Sequence, residues 1–336
     1  MSDFSIKKAK LKWQLTPAGK RNAKLEEAIV PLRQWPETAA LLDHAAANGI
    51  TISFSKDLIG THVDGHFQTD PRTGEQKIEL NPDSDAAGIS YVLIHELRHV
   101  WQDAMLGINP MNKAREEGDP ETAIYVTRVR EADAYAFTNL MITRMQHAER
   151  DSAEVRALAD RLRKASGATE LDTFQAALIN EYMLDKFAQR LPKQQMEMAQ
   201  DFLWAIENMQ PYDRDTLEKY HDRYTSPDYA PHSKGNEPAI TTSDMRRVMR
   251  MGVHQNVPDY LDNVPDAKFR EMVLKGVEPN VVQAVNLMKA FEAAAAKPYG
   301  IPGPGAQNFR TFIDNSVKMA RAAPLPTTTP KSRLRP

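Results

Sequence analysis

Apolar residues recur at helical spacing along the first fifty residues of the chain, and the pattern then changes to alternation. Residues 20–35 and 36–49 each predict a helix, with Pro36 suited to a first turn and Gly49 to a position just past a helix end. The run ITISFSKD, residues 50–57, alternates and is rich in β-forming side chains. This change of period predicts a strand after two helices.

A second alternating segment spans residues 62–82 and has the turn sequence TDPRTG at its centre. Apolar residues alternate on both sides of this turn, which predicts a β-hairpin. All strands are expected to lie within residues 50–82. The string KIELNP, residues 77–82, is the candidate for an edge strand of the small sheet.

The remainder of the chain has helical periodicity. A helix capped by Asp83, Ser84 or Asp85 is predicted to end at Gly107, and a second long helix is predicted over about 120–149. Further helices are predicted at 151–165, 170–190, 194–209, 242–252, 266–274, 278–296 and 306–322. An early sheet followed by many helices predicts an α+β fold.

Two segments depart from the helical pattern. The stretch from Tyr212 to Thr241 is rich in Pro, Tyr, Ser and Gly, which predicts a loop over a site or a boundary between lobes. The last residues, PLPTTTPKSRLRP, are proline-rich and basic and predict disorder. The predicted organisation is 1–49 N-terminal helices, 50–190 catalytic core, 191–322 helical C-terminal extension and 323–336 disordered tail.

Composition restricts the kinds of partner and of chemistry. The 336 residues are 41% apolar and 26% charged with a net charge of −2, so the basic surplus of a nucleic-acid binder is missing. No cysteine is present, which excludes disulfides, thiol nucleophiles and cysteine–zinc sites. Neither a signal peptide nor an apolar run of about eighteen residues is found. A cytoplasmic location is expected, although leaderless secretion would leave the same features.

The string HELRH, residues 95–99, carries the main candidate chemistry. Two histidines four residues apart lie on one helix face, where both imidazoles can bind one zinc ion. Glu96 then lies beside the open metal position as a general base for an activated water. Chance would give about 0.02 such strings in a chain of this length. The alternative is a core helix whose histidines bond to neighbours, and the apolar surroundings favour the metal.

The third ligand is expected on the helix that follows. The extended motif HExxHxxGxxH is absent, since Gln102 stands three positions after His99. Glu131 is the candidate ligand because of its longer reach, and Asp133 is then an outer partner of a ligating histidine or of Arg98. The reverse assignment, with Asp133 on the metal, remains open. A cation near a metal opposes its binding, so Arg98 is expected to face away from the histidines.

HELRH followed by a helix containing EADA resembles the zincin metallopeptidases of the gluzincin type, in which a glutamate on the next helix completes HExxH. More narrowly, HELRHVWQ with READAYAF resembles an uncharacterised bacterial family of metallopeptidases. The resemblance covers about residues 50–148 and implies a zincin-like fold with one zinc per chain. Many members carry the ligand as the first Glu of Glu-x-x-Ala-Asp. Here Val129 occupies that position, so either the role passes to Glu131 or this site departs from that pattern.

The sequence therefore predicts a zinc metallopeptidase that acts on a peptide or protein substrate, with zinc on His95, His99 and Glu131. Hydrolysis of another amide or ester by the same site is the first alternative. The second is a non-enzymatic binding or accessory protein of zincin origin that keeps its metal for folding. These readings share one site and differ in what it does.

Two weaker signals remain. His62, Asp64 and His66 would share one strand face, where a second metal site competes with the favoured reading of exposed polar residues. A peptidase also needs a donor for the tetrahedral oxyanion. The candidates in KYHDRYTSPDYAPH, which compete with an ordinary surface loop, are Tyr220, His221, Tyr224, Tyr229 and His232.

Overall fold

The computed structural model of the chain is α+β, with a small mixed sheet and a predominance of helices. This class agrees with the prediction. The residues that the structure describes are 12–13, 23–61, 63–70, 73–106, 120–147, 193–225, 240–249, 259–261 and 264–295, with single positions at 311, 315 and 318.

Both helices predicted near the N-terminus are present, as α1 (Ala23–Leu32) and α2 (Pro36–Ala47). Pro36 opens α2, where its missing N–H costs nothing. Gly49 follows the helix with a φ of 70°, and its N–H reaches the carbonyl of Ala46. This left-handed residue ends the helix in the way that glycine permits.

The sheet contains four strands in the order β1–β2–β4–β3. They are β1 (Lys12–Trp13), β2 (Thr51–Phe54), β3 (Gly65–Thr69) and β4 (Gln76–Leu80). The strands β1, β2 and β4 are parallel, and β3 pairs antiparallel with β4 as the predicted hairpin. The expectation that all strands lie within residues 50–82 is wrong, because β1 precedes them. Strand β1 has two residues, which are too few to show an alternation of apolar and polar positions in the sequence.

The described sheet has β1 and β3 at its edges, so the prediction of residues 77–82 as an edge strand is wrong. The chain places β4 between β2 and β3, and β4 is therefore paired on both sides. Gly65 lets β3 approach the next helix closely, since a Cβ there would lie 2.7 Å from Cγ1 of Val92 and 2.8 Å from the carbonyl oxygen of Glu79. A larger side chain would push this edge away from the helix.

Two long helices carry the motif residues. The HELRH helix, α3 (Ala86–Leu106), is capped by Asp85, whose carboxylate accepts the N–H of Gly88 at 2.7 Å. The following helix, α4 (Pro120–His147), begins and ends close to its predicted bounds. Helices α1 and α2 pack on α3, and α3 packs on α4. The hydrophobic core surrounds α3 and α4, and most residues of these two helices are buried.

Five further helices follow in the described part of the chain. They are α5 (Lys193–Glu207), α6 (Gln210–Thr225), α7 (Thr242–Val248), α8 (Asp266–Leu274) and α9 (Pro279–Ala295). The predicted break from Tyr212 is wrong as far as Thr225, because Pro211 sits in the first turn of α6, where proline is tolerated. The predicted helices at 151–165 and 170–190 and the tail 323–336 lie outside the described residues. So does most of 306–322.

Candidate metal centre

His95 and His99 lie one turn apart on α3 and direct their imidazoles to the same point. Their Nε2 atoms are 3.1 Å apart, and the two rings meet edge to face with centroids 4.7 Å apart. Both residues are buried, with exposed fractions of 7% and 6%. The apolar positions of α3 anchor the helix in the core, so the pair is held on a fixed scaffold.

Glu131 reaches the same point from α4. Its carboxylate oxygens lie 3.3 Å from Nε2 of His95 and 3.4 Å from Nε2 of His99. Ligand atoms of these three residues all lie within 4.8 Å of one another. Among the residues that the structure describes, this is the one group of three or more His, Asp or Glu side chains arranged to hold a metal ion.

The spacing of these atoms fits a tetrahedral zinc ion. Two ligand atoms at about 2.0–2.1 Å from a tetrahedral centre are separated by about 3.3–3.4 Å, close to the distances found here. Two histidines and a glutamate with one open position form a ligand set that zinc enzymes use. The residues therefore fit the metal.

Glu96 follows the first histidine and is also buried, with 7% of its surface exposed. Its Oε2 accepts the backbone N–H of Phe67 on β3 at 2.8 Å. Burial raises the pKa of Glu96 to about 7, while His95 lowers it and the charge of Glu131 raises it. A carboxyl with a pKa near neutrality suits a group that takes up and releases a proton.

At Glu131 the interactions that lower the pKa outweigh the burial that raises it. Burial by itself raises the pKa of this carboxyl, but the charge of His99 and hydrogen bonds from His95 and His99 outweigh it. The net pKa lies well below its ordinary value. Two neighbouring carboxyls thus differ in proton affinity, with Glu131 held as a carboxylate and Glu96 able to carry a proton.

Arg98 and Asp133 pair with each other between the two helices, beside the histidine cluster. The guanidinium donates from Nε and Nη2 to the two oxygens of Asp133 at 2.7 and 3.0 Å, with neither side chain exposed. It also lies over the indole of Trp101, 4.0 Å from the ring centroid. Arg98 therefore faces away from the histidines, and the carboxylate of Asp133 is used in this pair.

A cavity of about 700 Å³ opens at the histidines and Glu131. Its walls come from β3, α3, α4 and α6, and α6 contributes Tyr212, Asp215 and Lys219. Strand β3 lines one side with every residue from Gly65 to Thr69. The cavity thus joins the candidate metal position to the open edge of the sheet.

Two tyrosines at the cavity were not anticipated from the sequence. The ring of Tyr135 packs on His95 with centroids 4.5 Å apart, and its hydroxyl lies 2.7 Å from that of Tyr212. Burial raises the pKa of both phenols, so both remain protonated at neutral pH. The position of Tyr135, four residues after Glu131 on one helix face, could have indicated it. No sequence signal connects Tyr212 to the site.

The weaker candidates do not join the cluster of His95, His99 and Glu131, although Asp64 and His66 line the same cavity. His62 is outside the described residues, Asp64 accepts the hydroxyl of Ser84 at 2.7 Å, and His66 lies 3.3 Å from Glu79. Tyr220 is buried on α6 and, like His221, is absent from the cavity wall. Tyr224 lies in α6, but its side chain is outside the described residues, as are Tyr229 and His232.

The fold and the site are those of a protein equipped to hold a metal ion beside a buried carboxyl, and the sequence comparison agrees with this class. The chain belongs to the family described as "Putative metallopeptidase family (DUF6782)", whose pattern matches residues 8–178, just over half of its length. Comparisons with curated proteins and with solved structures give no significant match. None of the described helices has the length and apolar content needed to cross a membrane.

Proposed function

We propose that this protein is a zinc-dependent metallopeptidase with a zincin-like site. The observation that carries the proposal is the meeting of His95, His99 and Glu131 within 4.8 Å, with the buried Glu96 beside them. Zinc held by these three residues would act as a Lewis acid and lower the pKa of a water in its fourth position to about 7. Asp133 is paired with Arg98, so its proposed place is outside the set of metal ligands.

Glu96 is the proposed general base. Its carboxylate takes the proton of the attacking water and then delivers that proton to the departing amine. The backbone N–H of Phe67 holds one carboxylate oxygen in place, which leaves the other available for proton transfer.

The open edge of β3 supports a peptide as the substrate. Asp64 and Asp70 direct their backbone groups at the partner strand, as shown by the bonds from Asn81 and to Glu75. Backbone groups alternate sides along a strand, so those of residues 65, 67 and 69 point away from β4, and of these the N–H of Phe67 is already bonded to Glu96. An extended peptide can add to such an edge by main-chain hydrogen bonds.

The paired hydroxyls of Tyr135 and Tyr212 are the proposed oxyanion donor. One hydroxyl donates to the other across 2.7 Å, which leaves one O–H free to donate into the cavity. Both tyrosines line the cavity. A preorganised donor of this kind stabilises the negative charge that develops on the carbonyl oxygen during attack.

Glu96→Gln tests the proposed mechanism. The amide oxygen of glutamine can still accept the N–H of Phe67, so the fold is retained while the base is lost. We expect unchanged zinc content by elemental analysis and a loss of about 10²–10⁴-fold in cleavage of a mixed peptide library followed by mass spectrometry. Glu121→Gln, a surface change on α4, is the matched control and should cleave as the wild type does.

Three outcomes separate the proposed function from its rivals. Equal cleavage by wild type and Glu96→Gln contradicts the mechanism. Cleavage of ester or non-peptide amide substrates with intact peptides contradicts the substrate class. Zinc binding without turnover of any of these substrates supports the non-enzymatic alternative.

A further inference from the structure

Gln102 stands between the candidate metal ligand His99 and the carboxylate of Asp133. Its Oε1 lies 2.8 Å from Nδ1 of His99. Its Nε2 donates to the carboxylate of Asp133 at 2.7 Å and to the backbone carbonyl of Arg130 at 3.0 Å. Gln102 is fully buried, so these protein groups take the place of water around it.

These neighbours fix the orientation of the Gln102 amide. The carboxylate of Asp133 and the carbonyl of Arg130 can only accept hydrogen bonds, so the NH₂ group must face them. The reversed amide would set its oxygen against two other oxygens in a dry environment, which is strongly unfavourable. The oxygen of Gln102 therefore faces His99.

The orientation of Gln102 in turn fixes the tautomer of His99. An amide oxygen only accepts, so Nδ1 of His99 carries the hydrogen and donates it to Gln102. In the neutral imidazole Nε2 then carries the lone pair, as metal binding requires. His95 differs, because its Nδ1 is buried without a hydrogen-bond partner among the described residues. Only one of the two histidines is thus held in the ligating tautomer by its surroundings.

Asp133 is itself held by a saturated set of donors. Arg98 supplies two hydrogen bonds and Gln102 one, and the hydroxyl of Tyr260 supplies a fourth at 3.0 Å. Tyr260 is fully buried and lies between α7 and α8, outside the 8–178 region that defines the family. The segment between α7 and α8, beyond the family region, therefore contacts an outer partner of the candidate metal centre through Tyr260.

We propose that Gln102 is a positioning residue that, held by Asp133 and Tyr260, fixes His99 in the tautomer with Nε2 free for the metal. This inference rests on the proposed function for the identity of the metal. The tautomer itself is a property of the chain alone. Because outer partners of ligating histidines typically contribute about 10–100-fold to metal affinity, loss of Gln102 has a measurable consequence.

Gln102→Leu tests this role with two readouts that do not depend on activity. Zinc affinity is measured by chelator competition, and we expect it to fall about 10–100-fold. The tautomer of His99 is measured by NMR on ¹⁵N-histidine-labelled, metal-free protein at about pH 8, where a free imidazole is neutral. The wild type should carry its hydrogen on Nδ1 of His99, and the variant should lose this preference. Loss of the signal in His99→Asn assigns the resonance.

Two further variants separate positioning from a general effect on packing. Gln102→Met fills a similar volume without the amide and should lose the Nδ1 preference in the same way as Gln102→Leu. Tyr260→Phe removes only the outermost hydroxyl and should lower zinc affinity by about two- to fivefold, the worth of one hydrogen bond. Tyr125→Phe is its matched control, since that hydroxyl meets Thr242 of α7 at 3.3 Å without touching Asp133. It should leave zinc affinity unchanged.

The outcomes distinguish this inference from the proposed function. If the wild type binds zinc but Gln102→Leu matches it within twofold and keeps the Nδ1 hydrogen, the positioning role is overturned and the proposed function stands. If the wild type binds no zinc, the proposed function fails, and the NMR comparison still decides the tautomer. If Gln102→Leu does not fold, Gln102→Met and Tyr260→Phe carry the decision, and both must behave as stated above.

Discussion

Two of the buried arginine–aspartate pairs share a bidentate geometry, and they differ in the further contacts of the aspartate. Arg98 pairs with Asp133 next to the candidate metal centre, and Arg128 pairs with Asp213 away from it. All four side chains are almost fully buried, and each arginine bonds both oxygens of its aspartate. Such bidentate pairs offset part of the large cost of burying two charges.

Both arginines also bind backbone carbonyls in the C-terminal helices. Arg98 donates to Val248 at the end of α7 at 3.0 Å. Arg128 donates to Val273 at 2.9 Å and to Lys275 at 2.8 Å, at the end of α8. A cation at the last carbonyls of a helix is favourable, so each pair fixes one C-terminal helix against the long helices of the core.

The pairs differ in the further contacts of the aspartate. Asp133 also accepts a hydrogen bond from Gln102, and Gln102 in turn contacts His99. The hydrogen bonds described for the Asp213 carboxylate come from Arg128. The two ion pairs are thus similar in burial and geometry, but only the Asp133 pair contacts the candidate metal centre through Gln102. A buried ion pair contributes to a site only where its partners hold the groups that do the chemistry.

Removal of one aspartate at a time should show the largest effect. We expect Asp133→Ala and Asp213→Ala each to lower the free energy of unfolding by about 3–5 kcal/mol, because each leaves a buried arginine without its partner. Denaturant unfolding with a chelator present measures this. Only Asp133→Ala should also lower zinc affinity, by about 10–100-fold in the folded fraction. An equal loss of affinity in Asp213→Ala would remove the distinction between the pairs.

Replacement of whole pairs by apolar residues should separate stability from metal binding. The double variants Arg98→Met/Asp133→Leu and Arg128→Met/Asp213→Leu should regain much of the lost stability, since no charge is left unpaired. The first should regain less, because the Val248 carbonyl, the Gln102 amide and the Tyr260 hydroxyl lose a partner there, against two carbonyls in the second, at about 1–3 kcal/mol each. Zinc affinity should stay low in the first variant alone. Its recovery there would show that Gln102 needs no acceptor at position 133.

An exposed ion-pair group on α4 should have the smallest effect. Burial raises the pKa of Glu121, but hydrogen bonds from Arg270 at 2.8 Å and Lys289 at 3.1 Å outweigh it and hold the pKa below its ordinary value. Such a depressed pKa stabilises the fold above the unfolded-state pKa of about 4.3, and the gain disappears as pH falls through the folded pKa.

We therefore expect Glu121→Gln to cost about 0.5–1 kcal/mol at about pH 7, a small value because solvent screens this half-exposed group. The difference from wild type should vanish in acid, as followed by thermal unfolding across pH. A difference that persists unchanged in acid would show that packing, and not charge, is responsible. Zinc affinity should be unaffected at any pH.

The local elements were predictable where a single residue decides the backbone. Pro36 opens α2, Asp85 caps α3 and the turn that ends at Gly74 forms the hairpin, as the sequence indicated. The order of strands was not predictable, because it depends on parallel pairing between β2 and β4, which are separated by more than twenty residues. The edge strand next to the cavity was consequently misassigned.

The candidate site likewise combines residues that the local sequence predicts with residues that only tertiary packing brings together. The spacing on one helix predicts the histidines and Glu96, and side-chain reach predicts Glu131 on the next helix. The sequence marks Gln102 only as a departure from a longer motif, since the role of Gln102 depends on contacts with α4. The Tyr135–Tyr212 hydroxyl pair joins residues far apart in the chain, so tertiary packing alone reveals it.

The most direct test of the central claim is anomalous diffraction at the zinc edge from crystals of the wild-type protein purified with zinc. We predict one zinc ion per chain at about 2.0–2.2 Å from Nε2 of His95, Nε2 of His99 and a carboxylate oxygen of Glu131. Zinc bound by a different set of side chains, or no anomalous peak between α3 and α4, would contradict the account.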